Sequence, residues 1–249
     1  MLRLPISIVR GSDHGPELHI GEKGEAKVDK NTKAIQLMKE HKYEEAAKLF
    51  TETIEANPTD PVGYINFGNL LVHINDIERA QRFFEKAITL DERAATAYYG
   101  LGNLYMEQSI YSKAIENFQH AIELGLEESD VFYMLGIACQ QQEQFKLALP
   151  YLLRAMELSP KDEEIAFQYG LSLAQSDHIQ DAASIFQDVL KINPEHSDAH
   201  YNLGVIAIYD EDLTKALQYF EQALVNQPDH ILAANGKKQI DELLNHNDK

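Results

Sequence analysis

Few residues of this 249-residue chain have the types and spacing that chemistry requires. His196 and His200 are four residues apart, but they straddle a predicted helix start and no third metal ligand lies at a suitable spacing. The sequence has no phosphate-binding loop, no dinucleotide-binding glycine motif, no nucleophile elbow and no zinc-protease motif. Its paired carboxylates fall on exposed helix faces, whereas a general acid needs a buried, polarised setting. We therefore predict a protein that is not an enzyme and has neither a cofactor nor a metal site.

The elements that carry these residues repeat every 34 residues. Three columns keep this step through the chain: a small alanine, a glycine and a large apolar residue. The alanines are Ala46, Ala80, Ala114, Ala148, Ala182 and Ala216; the glycines are Gly68, Gly102, Gly136, Gly170 and Gly204; the large residues are Phe50, Phe84, Phe118, Leu152, Phe186 and Phe220. A fixed period of this length is typical of stacked helical repeats.

One unit shows why these columns exist. Residues 61–94 contain two stretches with apolar residues at helical spacing, separated by Asn75 and Asp76, which predicts two antiparallel helices joined by a tight turn. Gly68 is small enough for the paired helices to approach closely, and Phe84 is expected to fill the space between one pair and the next. A single pair cannot bury both of its faces, so stacking must supply the core.

The columns resemble the tetratricopeptide repeat (TPR) family in unit length and in their order of glycine, alanine, phenylalanine, alanine and proline. Strings such as YINFGNLL, YYGLGNLY and YNLGVIAI are similar to the family's first helix, and the match covers residues 27–229. ATAYYGLGNLY, VFYMLG and KLALPYL resemble a small cytoplasmic member from bacilli. The resemblance implies an all-α, right-handed α-solenoid of about six helix-turn-helix repeats with a capping helix over 229–249. In register, the repeats are 27–60, 61–94, 95–128, 129–162, 163–196 and 197–230.

The resemblance also implies that the first helix of each pair lines a concave groove for an extended peptide. Aromatic rings would hold apolar side chains, amides would pair with the peptide backbone, and carboxylates would favour basic residues. The aromatic set is Tyr99, Tyr133, Phe167 and Tyr201; the amide set is Asn66, Asn69, Asn103 and Asn202; the acidic set is Asp130, Glu164 and Asp198.

Each of these sets also has a structural interpretation. The rings would then pack between neighbouring helices, the amides of Asn66 and Asn202 would bond an adjacent helix end, and the carboxylates would stabilise helix N-termini. The sequence leaves both interpretations open.

Charge and cysteine content limit the partners. The chain has 22 Lys and Arg against 40 Asp and Glu, a formal net charge of −18, which would repel nucleic acid and an anionic membrane surface. Its single cysteine, Cys139, excludes an internal disulfide framework and fits a reducing cytoplasm. We expect a scaffold that binds a protein or peptide with apolar or basic residues. The alternatives are a homo-oligomer whose groove is filled by a neighbouring chain, and a peptide-responsive regulator.

Residues 1–27 carry no repeat column, and we interpret them as a leader that is disordered or not translated. Lys23, Gly24 and Glu25 accommodate the codons of a ribosome-binding sequence, and Val28 fits a GTG start codon at the edge of the first repeat. This hypothesis predicts that native protein begins near Val28. Mass spectrometry of the native N-terminus tests it, and a peptide from upstream of Val28 would contradict it.

Overall fold

The structure is a computed structural model that describes residues 29–247, with side chains described to residue 243. The described residues form only helices, which confirms the predicted all-α repeat fold, whereas the leader over residues 1–27 lies outside them. The helices are α1 (Lys30–Lys39), α2 (Tyr43–Ala56), α3 (Pro61–His73), α4 (Ile77–Leu90), α5 (Ala95–Glu107), α6 (Tyr111–Glu123), α7 (Ser129–Gln141), α8 (Phe145–Leu158), α9 (Glu163–Gln175), α10 (Ile179–Ile192), α11 (Ser197–Tyr209), α12 (Leu213–Asn226) and α13 (Ile231–Asn247).

The turn inside each pair has the same backbone geometry in every repeat. In the pair α3–α4, Asn75 adopts a positive φ of 61°, and the N–H of Asp76 donates to the carbonyl of Leu71 over 2.8 Å. This arrangement ends α3 with a Schellman motif. Asp76 then caps α4, because its side chain accepts from the N–H of Arg79. The positive φ recurs at His41, Asn75, Ser109, Glu143, Asp177 and Glu211.

The core of the pair α3–α4 is an aromatic ring held between two glycines. The side chain of Phe84, on α4, is fully buried. A Cβ atom added to Gly68 on α3 would lie 2.8 Å from Cε1 of this ring, and one added to Gly100 on α5 would lie 2.6 Å from the same atom. The ring therefore fills the space between its own pair and the next, as predicted.

The chain divides into two compact units, residues 1–127 and 128–249. The described part of the first unit consists of the pairs α1–α2, α3–α4 and α5–α6. The second unit consists of the pairs α7–α8, α9–α10 and α11–α12, followed by α13. Helix α13 covers α12 by burying Ala233 and Ile240, and its Lys237 bonds Glu221 of α12 over 2.8 Å.

We predict that Gly68→Ala lowers the free energy of unfolding by about 1–3 kcal/mol, because the new methyl group overlaps a fully enclosed ring. Gly63→Ala on the same helix is the matched control. Its Cβ would lie 3.0 Å from Cγ1 of Ile54, whose side chain can shift, and at an ordinary 4.0 Å from the Cα and N atoms of the same residue. A gain in helix propensity of up to ~1 kcal/mol offsets that contact. Chemical denaturation of both variants tests the ring packing, and equal effects would contradict it.

Candidate functional site

In the first unit, Asn66, which was predicted to bind a peptide, forms a hydrogen bond between two first helices. It lies on α3 with only 3% of its surface exposed, and its Nδ2 donates to Oδ1 of Asn31, in the first turn of α1, over 3.2 Å. This burial contradicts the expectation that the side chain is exposed in a groove, because the amide lies between two helices. This geometry matches its structural interpretation.

The other predicted residues of the first unit differ in burial. Tyr99 is 3% exposed, and its ring lies 5.8 Å from that of Phe118, so its expected exposure in a groove is also wrong. Asn103 is 7% exposed, and its Oδ1 has no hydrogen-bond partner among the residues described. Asn69, on α3, is half-buried.

In the second unit, the aromatic column forms the layer next to the core rings. Phe167 is buried and lies 5.6 Å from Phe186, between ring centroids, so the expectation of an exposed ring is wrong here. Tyr201 lies 5.8 Å from Phe220 in the same manner but is only half-buried, as is Tyr133. The column therefore packs mainly on the core, and two of its tyrosines keep partly exposed surface.

The three predicted carboxylates lie in the first turns of α7, α9 and α11, where the helix dipole favours negative charge. The hydroxyl of Tyr133, on α7, donates to Oε1 of Glu164, on the neighbouring first helix α9, over 3.5 Å. Oδ1 of Asp198 lies 3.1 Å from Nε2 of His230. Nδ1 of His230 accepts from the N–H of Ala233, so Nε2 carries the proton and donates to Asp198.

Two titratable side chains of α7, Asp130 and Tyr133, are partly buried and lie near other carboxylates. Burial raises the pKa of the Asp130 carboxyl above its ordinary value, and the nearby carboxylate of Asp162 raises it further. Burial also raises the pKa of Tyr133, with Glu164 and Asp162 adding to the shift. A positively charged group placed beside Asp130 would reverse this penalty.

Three exposed apolar side chains on α11 escaped the sequence analysis. Val205, Ile208 and Tyr209 are 42%, 40% and 71% exposed. They follow Tyr201 by four, seven and eight residues and therefore share its helix face. Asn202, beside them, is half-buried and donates from Nδ2 to the backbone carbonyl of Asp198 over 2.7 Å. The sequence could have indicated this face, because these three residues are apolar, recur at helical spacing and lie outside the columns that form the core.

The residues that first suggested chemistry have structural partners. Nδ1 of His196 accepts from the N–H of Ala199 and so caps α11, while Nε2 of His200 lies 3.0 Å from the carbonyl of Pro194. Cys139 is fully buried, and burial raises the pKa of its thiol to about 11, which disfavours the reactive thiolate. The described residues contain no cluster of three or more potential metal ligands and no helix able to span a membrane.

We predict that Asp130→Asn raises the melting temperature near pH 7, and that this gain shrinks towards about pH 4. A raised pKa means that the folded state disfavours the ionised form, so stability is lost as pH rises from the ordinary pKa of the carboxyl to above the raised one. Removing the charge removes that loss of stability. The difference in melting temperature between the variant and the unaltered protein disappears at pH values where the carboxyl is protonated in both the folded and the unfolded state. Glu116→Gln, at an exposed carboxylate of α6, is the control. An unchanged or lower melting temperature for Asp130→Asn at pH 7 would contradict the electrostatic description.

Comparisons with known proteins agree with this geometry. Four matches to the tetratricopeptide repeat family cover residues 37–88, 95–124, 129–162 and 167–231. The TPR repeat-containing protein YrrB of Bacillus subtilis is 51% identical over 41 residues, 16% of this chain and 20% of that protein. The crystal structure of YrrB, described as a TPR protein with an unusual peptide-binding site, has 47% sequence identity and a TM-score of 0.74; the match covers 77% of this chain and 99% of YrrB.

More distant structures share the fold. PilF of Pseudomonas aeruginosa is 17% identical with a TM-score of 0.71, over 84% of this chain and 96% of that one. MamA of Desulfovibrio magneticus is 20% identical with a TM-score of 0.62, over 67% and 94% of the two chains. The resemblance of the sequence to the family and to a small member from bacilli is thereby confirmed. The repeat columns, the paired helices and these matches show that the chain belongs to the tetratricopeptide repeat family.

Proposed function

We propose that this protein is a non-catalytic cytoplasmic scaffold that binds an extended segment of a partner protein along the first helices of its second unit. TPR proteins mediate protein–protein interactions, and YrrB is described as having a peptide-binding site. The observation that carries the proposal for this chain is the exposed apolar face of α11, in a unit whose first helices carry carboxylates in their first turns.

The apolar part of the proposed site consists of Tyr201, Val205, Ile208 and Tyr209. Exposed aliphatic and aromatic side chains on one helix face provide the anchors on which most peptide-binding energy depends. The large exposed fraction of Tyr209, 71%, leaves its ring available for stacking on an apolar side chain of the partner. A segment with one or two apolar residues would cover this face.

The acidic part consists of Asp130, Glu164 and Asp198. Their position in the first turns of successive first helices gives the partner's basic residues a regular set of carboxylates. The raised pKa of Asp130 supports this assignment, because a partly buried carboxylate gains most from a cationic ligand. The net charge of −18 favours the same class of partner and disfavours nucleic acid.

In the second unit, an amide contact to the peptide backbone stays in the proposal for the half-buried Asn202. Asn69 and Asn103 belong to the first unit and are not part of this site, and Oδ1 of Asn103 is buried. A few contacts worth about 1 kcal/mol each, reduced by the ordering of the peptide, give an affinity in the micromolar range. Such binding is reversible and suits assembly.

We predict that the double substitution Ile208→Thr with Tyr209→Ala weakens peptide binding at least about tenfold, because it removes two anchors. The probe is a fluorescein-labelled 12-residue peptide of alternating leucine and lysine, measured by fluorescence anisotropy. A peptide with glutamate in place of lysine should bind far more weakly, and added salt should weaken the lysine peptide.

The matched control is the double substitution Ile192→Thr with Val225→Ala. Ile192 and Val225 are 40% and 70% exposed, against 40% and 71% for Ile208 and Tyr209, but they lie at the ends of the second helices α10 and α12. The control should bind the lysine peptide as the unaltered protein does. Equal losses in both double variants, or equal binding of both peptides, would contradict the proposed site.

A further inference from the structure

Helix α13 occupies the place of the first helix in a further repeat. A Cβ atom added to Gly236 would lie 2.7 Å from Cε2 of Phe220, so α13 meets this ring with a glycine, as α5 meets the ring of Phe84. Two buried residues of α13 correspond to buried residues 34 positions earlier on α11: Ala233 to Ala199, and Ile240 to Ile206. The faces of α13 therefore correspond to those of α11, with an offset of one repeat.

This register places two exposed leucines of α13 next to the exposed face of α11. Leu243, which is 54% exposed, has the repeat position of Tyr209, and Leu232, which is 56% exposed, has that of Asp198. Leu232 and Leu243 are here called the α13 leucines. Helix α13 packs beside α11 as well as against α12, so exposed apolar side chains lie on two neighbouring helices of this unit.

Acidic and apolar residues occupy different parts of the second unit. In the first turns, carboxylates lie on α7, α9 and α11, whereas α13 has a leucine. Near the ends of the same helices, α7 and α9 have glutamine, whereas α11 and α13 have apolar residues. In chain order, the residues are Asp130, Glu164, Asp198 and Leu232 in the first turns, and Gln141, Gln175, Tyr209 and Leu243 near the helix ends. Glu242 on α13 lies 3.9 Å from Nζ of Lys238, which offsets its charge.

Bonds between neighbouring helices hold two of the carboxylates in place. The hydroxyl of Tyr133 donates to Glu164, and Nε2 of His230, just before α13, donates to Oδ1 of Asp198. A carboxylate has two oxygens that together accept about four hydrogen bonds, so each of the two keeps capacity for a cationic group. The side chain of Asp198 is 59% exposed and can be reached by such a group.

The distance between the two parts restricts the ligand. Asp198 and Tyr209 are eleven residues apart on α11, which is about 17 Å along the helix axis. An extended peptide covers this distance in about five residues. A segment with its basic residues at one end and its apolar residues at the other matches both parts. A segment in which the two kinds alternate places basic residues beside the apolar part and apolar residues beside the carboxylates.

We propose that the peptide site of the second unit includes the α13 leucines and selects a bipartite segment, whose basic residues are separated by about five positions from its apolar residues. This inference rests on the proposed function and extends it by naming the arrangement of the ligand. The basic end lies over the starts of α7, α9 and α11, where complementary charge guides it. The apolar end lies over the end of α11 and over α13.

The first test compares three fluorescein-labelled peptides of equal length and identical composition, made of lysine, leucine and serine. In two of them, lysines fill one half and leucines the other, in either order along the chain, and in the third they alternate. By fluorescence anisotropy, the tighter of the two bipartite peptides should bind the unaltered protein at least about tenfold more tightly than the alternating one.

The second test removes the α13 leucines. Leu232→Ser with Leu243→Ser should bring the affinity for the bipartite peptide down towards that for the alternating peptide, because the apolar end loses its contacts on α13. Leu158→Ser with Ile192→Ser, at exposed apolar residues that end the second helices α8 and α10, is the control and should keep the preference. Circular dichroism checks that both variants are folded.

The outcomes separate this inference from the proposed function. Equal binding of bipartite and alternating peptides would overturn the bipartite ligand and leave the proposed function in place, whereas no binding of any peptide up to roughly 1 mM would overturn both. A preference that survives in the α13 variant would exclude the α13 leucines from the site. A second copy covering these leucines would appear in sedimentation as a dimer that the variant abolishes with peptide affinity unchanged, which would also overturn the inference.

Discussion

The structure depends on the large side chain that each second helix buries, which in the pairs from α3–α4 to α11–α12 packs against a glycine of its own first helix. Phe84 contacts Gly68 in its own pair and Gly100 in the next, and Phe220 lies in the same way between Gly204 and Gly236. A side chain on either glycine would overlap the ring. The contact within a pair therefore sets the spacing of its two helices and recurs once in every 34 residues, whereas the following first helices have Met134, Gln168 and Asn202 at the position of Gly100.

That constraint explains why the fold was predictable from the sequence. Residues such as Gly68, Ala80 and Phe84 recur because identical packing is required in each repeat, and the tight turn at Asn75 follows from the same geometry. The backbone conformation of the turn was less evident, since Glu143 and Glu211 adopt a positive φ although their side chains do not favour it. Position in the repeat decides the turn there, and residue type does not.

The same constraint explains why part of the candidate site was predicted wrongly. Recurrence at the repeat step was used to select Asn66, Tyr99 and Phe167, but recurrence is also what internal packing produces, and the structure buries these three side chains. Exposed apolar surface lies where the columns change from one repeat to the next. Ile208 on α11 and Leu147 on α8 are exposed apolar residues of this kind. Their exposure depends on the neighbouring helices, which residue spacing alone does not reveal.

The central claim is that a basic, apolar peptide binds to the first helices of the second unit. The most direct measurement is a titration of the isotope-labelled protein with the leucine–lysine peptide, followed through backbone amide resonances in NMR spectra. The account predicts the largest shifts in α11, around Asn202 to Tyr209, with smaller shifts in the first turns of α7 and α9. Shifts confined to the second helices, or none at saturating peptide, would contradict it.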